Sequence, residues 1–85
     1  PGTATFDEMA KTLSVPALPE GATTLRAYRK AAGGEPELAG TSTGTTVSVI
    51  GLGPLTAGVT YELWVAGHNS QGDGPESNHV SHTAA

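Results

Sequence analysis

Polar and apolar residues alternate in short blocks along almost the whole chain, the two-residue period of strands that bury one face. Thr12-Leu13-Ser14-Val15 alternates and stops at Pro16, and Pro19-Glu20-Gly21 reads as a turn. Leu25-Arg26-Ala27-Tyr28-Arg29-Lys30 predicts a strand closed by Gly33-Gly34, and Glu37 to Thr43 a weaker, small-residue strand suited to a sheet edge. Thr45 to Ile50 alternates cleanly, and Gly51 to Gly58 turns the chain. Tyr61-Glu62-Leu63-Trp64-Val65-Ala66 is the strongest strand, with Tyr61, Leu63 and Val65 on one face. Asn69 to Pro75 predicts a dense turn, and His79 to Thr83 the last strand.

Residues 1–11 hold an irregular first strand near Thr3 to Asp7, which brings the total along the chain to seven. A single helical turn over Phe6 to Lys11, capped by Asp7, competes with it. About a dozen residues are needed for a stable isolated helix, which favours the strand. No internal repeat is visible, and the alternation leaves room for one domain only, residues 1–85.

Composition sharpens this pattern. Twelve Thr and 12 Gly against one Met favour strands and tight turns over helices. Leu, Ile, Val and Phe make 15 of 85 residues, which predicts a thin core. The net charge of −4, with 14% charged residues, is too low to keep such a chain disordered. Four basic residues against eight acidic ones argue against a nucleic-acid partner, whose phosphates need Lys and Arg. No apolar run approaches the roughly 18 to 20 residues that cross a bilayer, so no membrane insertion is expected. A basic segment followed by an apolar stretch is missing at the N-terminus, so a signal peptide is expected to be removed or never present. Without Cys there is neither a disulfide framework nor a thiolate metal site, and stability must come from packing.

From Leu52 to Ser77 the order of residues is distinctive. Leu55, Gly58, Thr60, Tyr61 and Val65 are followed by Asn69, Gly72, Gly74 and Ser77. This series resembles the C-terminal half of a fibronectin type III domain. The resemblance implies an all-β, seven-stranded antiparallel Greek-key β-sandwich. It implies that Tyr61 is a tyrosine corner, its hydroxyl bonded to backbone a few residues upstream. Gly72 and Gly74 are expected to supply positive φ in the loop between the last two strands. Leu52 competes with Leu55 for the family's turn leucine. The family's core Trp on the second strand has only Val15 in its place, so compensation by Phe6, Met9 or Leu18 is implied.

Candidate chemistry is sparse. His79 and His82 are three apart, hence on opposite faces of a strand, and His68 has no acidic residue at ligand spacing, so no metal site is expected. Ser, His and Asp all occur, but only Asp7 and Asp73 are available and no strand-turn-helix presents a nucleophile. The glycine pairs lie between strands and lack the helix N-terminus that would hold a phosphate. No catalytic residue and no cofactor is expected, and the chain is not predicted to be an enzyme. Neither an Asn-x-Ser/Thr site nor an Arg-Gly-Asp tripeptide occurs.

Alternation sends Trp64 to the outer face of its strand, with Arg26, Tyr28 and Lys30 on the same side of the strand that the family pairs beside it. An exposed Tyr28–Trp64 pair flanked by Arg26 and Lys30 would offer a shallow partner face for a protein or a glycan. The same pair would equally serve as a cross-strand contact that stabilises the sheet.

The expected role is a structural or spacer module of a larger extracellular or cell- or virion-surface protein, with neighbouring domains of its own chain as partners. Two alternatives stand beside it. One is a protein- or carbohydrate-binding module using the Tyr/Trp face. The other is a self-assembling surface, fibre or phage subunit that pairs through open sheet edges.

Overall fold

Each alternating block becomes a strand because its apolar side chains share one buried face. The computed structural model describes residues 3–18 and 20–84, and every helix or strand among them is a strand. Eight are formed: β1 (Thr5–Asp7), β2 (Thr12–Ser14), β3 (Thr24–Ala31), β4 (Glu37–Ser42), β5 (Thr46–Ser48), β6 (Thr60–Asn69), β7 (Gly72–Glu76) and β8 (Val80–Thr83). All pairings are antiparallel. One sheet has the order β1-β2-β5, and the other β4-β3-β6-β7 with β8 also on β6.

β7 and β8 lie along the same edge of β6, β7 beside Ala66 to Asn69 and β8 beside Thr60 to Leu63. They are one strand position broken at Ser77 to His79, so the Greek-key sandwich has its seven positions in eight pieces. The predicted turn from Asn69 to Pro75 is corrected here. Asn69 Oδ1 accepts from Gln71 N at 2.8 Å and Gly72 takes φ +118°, which closes a two-residue turn at Ser70-Gln71. Pairing then resumes at Gly72, opposite Asn69.

Leu13, Val15, Val47 and Val49 from the smaller sheet meet Leu25, Ala27, Tyr61, Leu63 and Val65 from the larger one. Each fully buried Leu or Val contributes roughly 1.5–3 kcal/mol relative to an exposed one. Phe6 and Leu18 pack against this cluster, whereas Met9 is 95% exposed and compensates nothing for the small Val15. Leu55, not Leu52, turns inward: Leu55 packs on the core and Leu52 is 63% exposed.

At the N-terminus the strand and the capped turn both form, one after the other. β1 ends at Asp7, whose Oδ1 accepts from Met9 N and Ala10 N at 2.9 and 3.2 Å, and whose carbonyl accepts from Lys11 N at 2.8 Å. Lys11 closes this turn in the left-handed region at φ +57°. The predicted turn at Pro19-Glu20-Gly21 has its first residue outside the described ones, while Gly21 has φ +84°.

The inward row of β3 continues past Leu25 and Ala27 to Arg29, which is also buried. Its guanidinium is matched at the sandwich end. Nε donates to Glu37 Oε1 at 2.6 Å, and Nη1 donates to the carbonyls of Val49 and Gly53 at 3.1 and 2.7 Å. A buried cation so paired ties β3 to β4 and to the turn after β5.

Candidate functional site on the outer sheet face

The register of β3 on β6 sets Tyr28 opposite Trp64, Arg26 opposite Ala66 and Lys30 opposite Glu62. Arg26, Tyr28, Lys30 and Trp64 therefore share the outer face, with the Tyr28 and Trp64 rings stacked at 6.0 Å and 19°. Exposure of Trp64 is the expectation that fails: it is 4% exposed. His79, at the break between β7 and β8, lies over the indole with centroids 4.4 Å apart and planes at 11°. His79 Nε2 is 2.8 Å from Glu76 Oε1, and Nδ1 is 3.5 Å from Glu62 Oε1, so two carboxylates hold the ring in place.

At the other end of the ladder the Tyr28 hydroxyl donates to Asp73 Oδ2. Asp73 Oδ1 is 2.9 Å from His68 Nδ1, across the hairpin that places His68 opposite Asp73. Burial first, and then this hydrogen bond, raise the Tyr28 hydroxyl above its ordinary value. The same Tyr28 hydrogen bond is the main influence that holds Asp73 below the usual carboxylate range, with His68 and Arg26 adding to it. A notch of about 200 Å³ opens between Tyr28, Pro36, Trp64, Ala66, Asp73 and Gly74.

The remaining residues singled out in the sequence sit around the same strands. Tyr61, Leu63 and Val65 face the core, and the Tyr61 hydroxyl accepts from Thr56 N at 2.9 Å. That bond holds the Tyr61 hydroxyl below its usual value. Asn69 Nδ2 donates to Gly21 O at 2.9 Å, joining the turn after β6 to the turn before β3. Gly72 has a positive φ, but Gly74 does not: it lies in β7, where a Cβ would meet Gly67 O at an ordinary 3.7 Å.

His82 is buried against Phe6, centroids 4.8 Å apart, with Glu8 Oε1 3.5 Å from Nδ1 and, among the described residues, no partner for Nε2. Among the described residues no group of three or more His, Cys, Asp or Glu is placed to hold a metal ion. His79 and Asp73 were missed as members of the outer-face cluster because both reach it across the β6–β7–β8 edge. Only the hairpin spacing of His68 and Asp73, five residues about a two-residue turn, carried a signal.

No family model and no curated protein matches the chain. Among solved structures it is similar to the twitchin kinase region from C. elegans (Fn31-NL-kin-CRD-Ig26), with a TM-score of 0.64 at 23% identity. The match takes in 99% of this chain and 17% of that one. The chain has an immunoglobulin-like, fibronectin type III-type β-sandwich fold. The likeness is one of fold, and the chain spans about a sixth of the length of the solved twitchin region it matches.

Proposed function

We propose that the chain is a fibronectin type III module without catalytic activity that spaces the neighbouring domains of a larger protein. The direction of its end strands carries this reading. Ala4 N donates to Asn78 Oδ1, and further along both strands Phe6 and Glu8 lie beside His82. β1 and β8 thus run in the same direction, and Ala84 ends beside Gly58 and Val59 at the Thr60 end of β6. Chain entering through β1 and leaving through β8 keeps its heading, as a bead in a linear array requires. The aromatic partner face weighs less, because Trp64 is covered by His79 and lacks the free surface of an anchor. An extracellular or surface setting belongs to the same proposal and rests on the resemblance to fibronectin type III domains.

A fluorescent reporter fused at each end tests the spacing by energy transfer. The expected result is one narrow distance distribution, with the reporters held apart across a module whose longest dimension is 37 Å. Efficient transfer equal to that of directly joined reporters would overturn the reading.

A further inference from the structure

The backbone directions of β1 and β8 leave two strand edges open toward one groove. Val15 N donates to Thr45 O and Val49 N to Lys11 O, so Lys11 and Val15 in the β2 segment, and Leu13 between them, face β5. Thr12 and Ser14 then face β1, where they pair with Asp7 and Thr5. By alternation Ala4 and Phe6 turn their N–H and C=O groups away from β2. Asn78 takes up both groups of Ala4, accepting from its N at 2.8 Å and donating to its O at 3.3 Å. No group among the described residues takes up those of Phe6.

The same reasoning applies to β8. Ala84 N donates to Val59 O at 3.0 Å, so His82 and Val80 face β6 while Ser81 and Thr83 face outward. The large sheet's opposite edge is partly occupied, since Ala39 O in β4 accepts from Leu52 N at 3.2 Å. The open pair of edges borders a shallow, open groove of about 630 Å³ whose lining includes Phe6, Asp7, Glu8 and Met9 from β1 and its turn, and Val80 and Ser81 from β8. Its walls carry the exposed Met9, half-buried Phe6 and Val80, two carboxylates, and no Lys or Arg.

We propose that this groove binds an extended segment of another polypeptide in which apolar residues alternate with Lys or Arg. Unpaired edge groups on Phe6 and Ser81 supply the backbone pairing by which an extended chain adds to a sheet. The two-residue period then sends alternate side chains to Phe6, Met9 and Val80, and the others to solvent beside Asp7 and Glu8. Charge selects the occupant. A second copy of this chain, itself at −4, would bring acidic edge residues against Asp7 and Glu8, whereas a basic strand is attracted to them.

The probes are two capped six-residue peptides, one of alternating Val and Lys and one of alternating Val and Glu, added to the labelled protein while amide exchange is followed by NMR. The Val-Lys peptide is expected to slow exchange at Phe6 and Ser81 and to bind roughly tenfold more tightly than the Val-Glu peptide. Added salt is expected to narrow that difference. Ser81→Pro, which removes an outward donor at a tolerant edge position, and Met9→Glu are expected to abolish the effect while keeping the Trp64 emission of the parent. Protection at β4 instead of β1 and β8, equal binding of both peptides, or undiminished binding by Met9→Glu would overturn the proposal. So would concentration-dependent protection of Phe6 and Ser81 without peptide, which would assign the edge to a second copy.

Discussion

The imidazole of His79 lies flat on the indole of Trp64, at 4.4 Å and 11°, and converts an outward aromatic into a buried one. His79 reaches this position because the strand on that edge of β6 breaks at Ser77 to His79, where Ser77 Oγ accepts from Val65 N at 3.0 Å.

His79→Ala should uncover the indole. The expected outcome is a red-shifted Trp64 emission and a loss of about 0.5–1.5 kcal/mol, the range for an aromatic pair beyond its area burial. Trp64 is the one Trp in the chain, so the spectrum reports this site alone. An unchanged emission maximum would mean that His79 does not cover the ring in solution.

Tyr28, raised by burial first and then by its hydrogen bond to Asp73, and Asp73, lowered mainly by that bond, should give stability two pH limits. Asp73 is lowered in the fold, so its contribution is present above its ordinary value of 3.8 and is lost as pH falls through the lower folded value. Tyr28 is raised, so its contribution is present below 10.0 and is lost as pH rises through the higher folded value. Tyr28→Phe should flatten both limbs of a denaturation profile against pH. Asp73 is 37% exposed, so solvent screening keeps both effects small.

The inward row Tyr61, Leu63 and Val65 was legible because alternation is a local property of β6. The burial of Trp64 was not, since its cover comes from another strand's break. Gly40 shows a second kind of silence. Nothing in Leu38-Ala39-Gly40-Thr41 marks it, yet a Cβ there would stand 2.1 Å from Ser48 O on the opposing sheet. Arg29 is a third case: its inward place follows from the period of β3, but its acceptors Val49 O and Gly53 O come from a turn 20 or more residues away.

Gly40→Ala should therefore be costly although Ala suits a strand no less than Gly. Ser48 O is backbone and cannot rotate aside, so β4 and β5 must separate. A loss of about 1–3 kcal/mol or more is expected in chemical denaturation, as for overpacked cores. Gly44→Ala, whose Cβ would meet Ser42 Oγ at 3.7 Å, is the matched control and should cost far less.

Lys11→Gly should act in the opposite direction. Lys11 holds φ +57°, a region that costs a side chain roughly 1–2 kcal/mol and a glycine little. Glycine's extra freedom in the unfolded chain returns part of that gain, about 0.5–1 kcal/mol. The Lys11 ammonium also donates to Glu8 O, an exposed contact whose loss matters little. A net gain of up to about 1 kcal/mol is expected in the same assay, and a loss would show that this contact outweighs the backbone strain.

Tyr61→Phe tests the register on which the C-terminal half depends. The ring lies in the core, and its hydroxyl accepts from Thr56 N, five residues upstream, at the point where Leu55 turns inward. Phenylalanine keeps the packing and removes the acceptor, so Thr56 N must find water in a half-buried turn. The expected cost is about 0.5–1.5 kcal/mol, the net worth of one hydrogen bond. Faster amide exchange should appear at Thr56 and spare the middle of β6. A uniform loss of protection across β6 would instead show that the hydroxyl holds the whole strand, and no change at Thr56 would disprove the bond.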